Sequence, residues 1–132
     1  RYRCLAPIYY RGTNIVFLVY AVNSRTSFEV VDVWVKSLSD NNADPSLIYL
    51  IANKVDLERN SDSISMNEGM EKADAIKAIY YEVSAKTGNG IEDLLKAVAQ
   101  TYVEKVANGV VATQKTKGAN INEESKDGGC CA

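Results

Sequence analysis

The 132-residue chain has no histidine and no Cys-x-x-Cys pair, which removes imidazole acid–base catalysis and the usual zinc sites. Its three cysteines, two of them adjacent at the end, do not form a disulfide framework and fit a reducing compartment better. No apolar run reaches the length of a membrane span, and no signal peptide is evident. Lys and Arg (15) do not outnumber Asp and Glu (17), and a net charge of −2 gives no electrostatic footprint for nucleic acid. Two phosphate-site motifs are missing as well: there is neither G-x-x-x-x-G-K-[ST] nor D-x-x-G. What is present is an ordinary apolar fraction, 46%, in a length suited to one small domain and a tail.

The apolar residues are organised around one stretch, Leu47-Ile48-Tyr49-Leu50-Ile51-Ala52, which stops abruptly at Asn53-Lys54-Val55-Asp56. A short continuous apolar run reads as a strand buried on both faces of a parallel sheet. Ligands in open α/β sheets sit beyond the carboxyl ends of such strands, which puts Asn53, Lys54 and Asp56 at the ligand edge. A second strand, Ile79 to Val83, ends in Ser84-Ala85-Lys86, and its loop should lie beside the first. Ile15 to Val22, rich in β-branched and aromatic residues, reads as a third.

Helices separate these strands. Thr26 with Glu29 has the spacing of a capping box, and Phe28, Val31, Val35 and Leu38 recur at helical spacing until Asn41 to Pro45 ends the segment. Ser65 with Glu68 opens a weaker helix to about Ile76, in which Gly69 costs about 1 kcal/mol relative to alanine. Ile91, Leu94, Leu95, Val98, Tyr102 and Val106 mark one face of the last helix. The alternation of strand and helix predicts an α/β fold with a parallel sheet. From Gly109 the composition turns to Gly, Asn, Thr, Lys and Glu, which reads as a flexible linker. Gly88-Asn89-Gly90 does not open a dinucleotide fingerprint, because the third glycine position holds Asp93, whose charge would repel a pyrophosphate. These glycines read as turn and helix cap.

Asn53-Lys54-Val55-Asp56 resembles the N-K-x-D box of Ras-like small GTPases, and Ser84-Ala85-Lys86 resembles their S-A-K box. Arg1 to Gly12 is similar to the Rab segment that follows a D-T-A-G-Q-E box, and Cys130-Cys131-Ala132 is similar to a Rab prenylation tail. The resemblance covers nearly the whole chain and keeps its order. Leu5-Ala6-Pro7 and Tyr9-Tyr10-Arg11-Gly12 are nearest the early-endosomal Rab branch. Ala21 and Ala52 depart from it, standing where Rabs usually carry Asp and, in that branch, Gly.

The resemblance implies the C-terminal part of a Ras-like P-loop fold with its first strands missing, residue 1 falling just after the D-T-A-G-Q-E position. Residues 1–108 would be a truncated GTPase domain, 1–12 its remnant of switch II, and 109–132 a hypervariable prenylation tail. Asp56 would accept from the ring N–H and exocyclic amine of guanine together, a match for the two oxygens of a carboxylate. Lys54 and Lys86 would cover the two faces of the base, Asn53 would tie the loops, Ser84 would stand in the second loop, and the Ala85 N–H would meet the guanine oxygen. The bland alternative makes Asn53 and Asp56 simple turn residues. Tyr9 would face effectors; its alternative is a short helix tucking Leu5, Ile8 and Tyr9 onto the sheet.

By the same resemblance Cys130 and Cys131 would carry prenyl groups and hold the protein on the cytoplasmic face of intracellular membranes, endosomal ones first; two idle thiols are the alternative. Two chains suit a tail without a polybasic patch, since one anchors only marginally. GTP or GDP with Mg²⁺ would be the cofactors of the intact protein, their metal and catalytic residues falling before residue 1. Effectors, an exchange factor and the prenylation machinery would be its partners. The chain alone should neither hold GTP tightly nor hydrolyse it, and a nucleotide-free binding piece or an incomplete gene product is the competing reading. The Ile15–Val22 strand, lacking its family neighbour, should be an exposed apolar edge.

Overall fold

A computed structural model describes residues 6–109. Three strands, β1 (Ile15–Ala21), β2 (Leu47–Asn53) and β3 (Ile79–Glu82), form a sheet in that order. Both pairings are parallel, Ile15 standing opposite Leu47 and Tyr49 opposite Ile79. Each strand therefore needs a crossover to reach the next, and α2 (Arg25–Asp40) and α3 (Met66–Ala75) supply them. The α/β fold with a parallel sheet is the one the alternation predicts. Strand ends fall one residue earlier than expected, with Val22 and Val83 continuing the ladder by single bonds to Asn53 and Ala52.

Period-two alternation divides the strands between two cores. Leu18, Tyr20, Val22, Leu50 and Ala52 pack with Phe28 and Val31 of α2, Ala73 of α3 and Ile64. Leu47, Tyr49, Ile51 and Val83 turn the other way and meet Leu94 of α4 (Ile91–Ala107), with Ile91, Val98 and Tyr102 at the margin. β2 is thus buried on both faces, which is why its sequence is continuously apolar. β1 is not. Its Phe17 and Val19 remain 43% and 53% exposed, and β1 has no second strand neighbour among the described residues. The exposed apolar edge expected of this strand is observed.

Helix starts were less uniformly legible. The Ser65–Glu68 capping box forms in full: Ser65 Oγ accepts from the Glu68 N–H, and Glu68 Oε2 accepts from the Ser65 N–H. The Thr26–Glu29 box does not form. Ser24 caps α2 instead, its hydroxyl oxygen accepting from the Ser27 N–H, so the helix has already begun at Arg25. Asn41 and Asn42 end it, Asn42 in the left-handed region at φ 52°. Gly90, at φ 72°, caps α4, and a Cβ there would lie 2.5 Å from the Glu82 carbonyl oxygen.

Gly69 corrects a reading based on propensity alone. It is buried against β1 and β3, where a Cβ would come within 2.5 Å of Tyr80 Cε2 and 2.6 Å of the Tyr20 hydroxyl. Glycine lets α3 approach two tyrosines. Leu95 is a second correction: it shares the apolar spacing of α4 yet is 54% exposed. The short helix α1 (Ala6–Tyr10) is a third, since Ile8 and Tyr9 are 71% and 75% exposed rather than tucked onto the sheet. α1 leans on α2 through a Tyr10–Ser37 hydroxyl pair at 3.1 Å. Leu5 and the segment beyond 109 lie outside the described residues.

Candidate functional site

At the carboxyl edge of the sheet, β2 and β3 release two neighbouring loops. The first turns at once: Lys54 adopts φ 67°, and the Leu57 N–H donates to the Lys54 carbonyl. The second is wound tightly, the Ser84 N–H donating to the Asn89 carbonyl and the Gly88 N–H to the Ser84 carbonyl. These turns present Asn53, Lys54 and Asp56 towards Ser84, Ala85 and Lys86.

Three hydrogen bonds join the loops. Ser84 Oγ donates to Asp56 Oδ1 at 2.6 Å, the Ala85 N–H donates to Asn53 Oδ1 at 3.0 Å, and the Val55 N–H donates to the Val83 carbonyl at 3.3 Å. Ser84 is fully buried, so its hydroxyl is fixed, and it also accepts from the Thr87 N–H. Asn53 Oδ1 accepts from the Lys54 N–H as well, at 2.7 Å. The Ala85 N–H is therefore engaged by Asn53, and a ligand oxygen would have to share it.

The hydrogen bond from Ser84 holds the Asp56 carboxyl below its ordinary pKa, and the Lys86 and Lys54 charges act in the same sense. Asp56 is thus an acceptor at neutral pH, exposed and aimed from a fixed turn. A cavity of about 230 Å³ lies between the loops, lined by Asn53, Lys54, Asp56, Leu57, Ala85 and Lys86. Its lining combines one carboxylate, two cationic heads on apolar stems, and the Leu57 side chain, which sequence reasoning had not singled out. That composition suits a flat heterocycle whose edge donates hydrogen bonds.

Ser84 does not line the cavity but sits behind it, orienting Asp56. Tyr9 stands on α1, outside that lining. Cys130 and Cys131 lie outside the described residues. Among the described residues no three His, Cys, Asp or Glu side chains gather as a metal site, so no step through Mg²⁺ is derived from them. No helix among them is long and apolar enough to cross a membrane.

Known proteins similar to this chain share one family. The model of the Ras family matches residues 1–104. Ras-related protein Rab-21 of Canis lupus familiaris is 34% identical over 145 residues, covering all of this chain and 65% of its own length. Ras-related protein RabC of Dictyostelium discoideum is 30% identical over 132 residues, covering 99% of this chain and 65% of its own. Ras-related protein Rab-24 of the same organism is 30% identical over 138 residues, with 99% and 67% covered. The chain thus spans about 65% of the length of the Rab-21 relatives it matches. Matched along most of its length by the family model, and by Rab proteins from one end to the other, the chain belongs to the Ras family, in its Rab branch.

Proposed function

We propose that the loops after β2 and β3 read the guanine base of a nucleotide. The observation that carries this is the Ser84–Asp56 hydrogen bond, which aims an ionised carboxylate into a cavity between two lysine stems. Guanine offers two adjacent donors to that carboxylate. Adenine offers an amine beside a ring acceptor, leaving one oxygen opposed by a lone pair. Polar sites of this kind reach discrimination of about 10⁴-fold when the mismatch leaves a group unpaired. Asn53 ties the loops, Lys54 and Lys86 cover the base, and the Ala85 N–H, shared with Asn53 Oδ1, is the donor that meets the guanine oxygen.

Binding and hydrolysis of GTP belong, on this reading, to these loops together with phosphate-binding and Mg²⁺-holding residues that residues 1–132 do not contain. The family's chemistry is attack by an oriented water on the terminal phosphate, with charge stabilisation supplied around the phosphates. This chain's share is to bind and orient the base. Alone it binds guanine nucleotides weakly and does not hydrolyse GTP. A nucleotide-free binding role is favoured only by the missing G-x-x-x-x-G-K-[ST].

The protein works as a membrane-held switch of vesicle traffic, with the early-endosomal compartment favoured by the resemblance of Leu5-Ala6-Pro7 and Tyr9-Tyr10-Arg11-Gly12 to that Rab branch. Tyr9, 75% exposed on α1, faces effectors. Residues 1–108 act as the nucleotide-reading unit, and 109–132 as a tail whose Cys130 and Cys131 accept prenyl groups. NMR titration of the 132-residue chain with GMP and with AMP tests the base-reading claim. Preference for GMP, abolished in Asp56→Ala, supports it; equal response to both nucleotides overturns it. Mass spectrometry of the cellular protein, showing two unmodified cysteines, would remove the membrane claim.

A further inference from the structure

Neither Arg59, three residues beyond Asp56, nor Glu82, the last residue of β3, lines the cavity. Arg59 Nη2 donates to Glu82 Oε1 at 2.9 Å, and Tyr80 Oη donates to the same oxygen at 3.0 Å. The Tyr80 hydroxyl in turn meets that of Tyr20 at 3.5 Å, and Arg59 Nη1 reaches the Ile64 carbonyl at 3.5 Å. The pair is at the surface but partly covered: the two side chains are 38% and 27% exposed. Burial, followed by the Tyr20 hydroxyl, pushes the Tyr80 phenol well above its ordinary pKa, so it stays a donor to Glu82.

The position of this pair in the chain gives it significance. Arg59 is three residues beyond Asp56, and Glu82 is two before Ser84. With the Ser84–Asp56 bond, the ion pair closes a small ring of chain: Asp56 to Arg59, across to Glu82, along to Ser84, and back to Asp56. The Val55–Val83 backbone bond lies at the neck of that ring. Farther on, the Ile64 N–H donates to the Val22 carbonyl at 2.8 Å and fixes the loop's other end to β1. The ion pair adds to the Ser84–Asp56 and Val55–Val83 bonds in restraining the Asp56 turn; opened at Arg59, the segment after Asp56 loses its link to β3.

We infer that the Arg59–Glu82 ion pair, backed by Tyr80, is a positioning device that sets the Asp56 carboxylate against the base without touching the nucleotide. Its nucleotide arm rests on the base-reading proposal above; its effect on Asp56 does not. A pair that merely adds stability would, on removal, weaken every ligand alike through the folded fraction. A positioning pair lowers the guanine-to-adenine ratio while the chain stays folded.

The test uses the 132-residue chain with Arg59→Gln, Glu82→Gln, both together, and Arg59→Lys. GMP and AMP titrations are read at the Ala85 amide, and the Asp56 carboxyl is titrated by carbon NMR. The expected result is a fall of about tenfold in the GMP-to-AMP ratio for either single change, no further fall in the double, and substantial recovery with lysine. The Asp56 titration should move up towards the ordinary carboxyl range in the glutamine variants. An unchanged ratio and an unmoved Asp56 titration in folded Arg59→Gln overturn the inference, as do single losses that simply add. If the parent chain shows no preference for GMP, the base-reading proposal fails, and the Asp56 titration alone decides whether the pair positions that carboxylate.

Discussion

Gly69→Ala separates two opposite expectations about α3. In a helix free of neighbours the substitution would stabilise by about 1 kcal/mol, since glycine carries the larger backbone entropy cost. Here the new methyl would stand 2.5 Å from Tyr80 Cε2, 2.8 Å from Tyr80 Cζ and 2.6 Å from the Tyr20 hydroxyl. Neither ring can swing aside cheaply. Tyr20 is 2% exposed and packs edge-on against Phe28 at 4.9 Å, while Tyr80 is held by Glu82. Overpacking of this kind costs about 1–3 kcal/mol, and the upper half of that range applies where rigid aromatics must move. The net expectation is a loss of about 1–2 kcal/mol. Urea unfolding followed by far-UV circular dichroism measures it as a lower midpoint at unchanged slope. Gly69→Ala combined with Tyr80→Leu should recover part of the loss relative to Tyr80→Leu alone, because the ring that the methyl strikes is gone. A Gly69→Ala chain more stable than the parent would refute the close-approach argument.

Three further outcomes are expected. Glu68, paired with Arg25 and bonded to the Ser65 N–H, has its pKa lowered from 4.5 to about 2, so its contribution is complete above the higher value and lost as pH falls through the lower. Thermal unfolding between pH 5 and pH 2 should therefore decline less steeply in Glu68→Gln; equal slopes would deny the pair that role. Ser84→Ala should cost about 1–2 kcal/mol, since it strips a buried hydroxyl from Asp56 and the Thr87 N–H, and should raise the Asp56 titration. Unfolding midpoints and carbon NMR check both parts, and an Asp56 that titrates as in the parent would show that Ser84 does not hold it. Val19→Lys places a charge on the open strand and should reduce light scattering of concentrated samples without lowering the unfolding midpoint. Undiminished scattering would mean that the β1 edge is not where copies associate.

What could be read from sequence was what local chemistry settles. β2 announced itself because burial on both faces leaves no polar position from Leu47 to Ala52. The Ser65–Glu68 box was legible because all of its partners lie within four residues. Thr26 and Glu29 show the weakness of the same rule: identical spacing just past the true cap matches the pattern, while Ser24 takes the work. Asn53, Lys54, Asp56 and the Ser84–Lys86 triplet were foreseen as neighbours, and the structure brings their loops together. Arg59 and Glu82 were not foreseen, since they are 23 residues apart and each is an ordinary surface type on its own. Gly69 was misjudged for a related reason. Helix propensity sees one turn, whereas Tyr20 and Tyr80 arrive from distant strands.

The two cores also differ in when they can form during synthesis. Every buried member of the core under α2 and α3 comes from residues between Leu18 and Ala73, and its last marginal member is Tyr80. The opposite face of β2 waits for Leu94, Val98 and Tyr102. A nascent chain that has reached Lys86 therefore holds all six residues that line the cavity between the two loops while Tyr49, Ile51 and Val83 still lack their cover. During that interval the back of the sheet is open to chaperones or to neighbouring chains, and the helix that closes it is the last of the described elements to be synthesised.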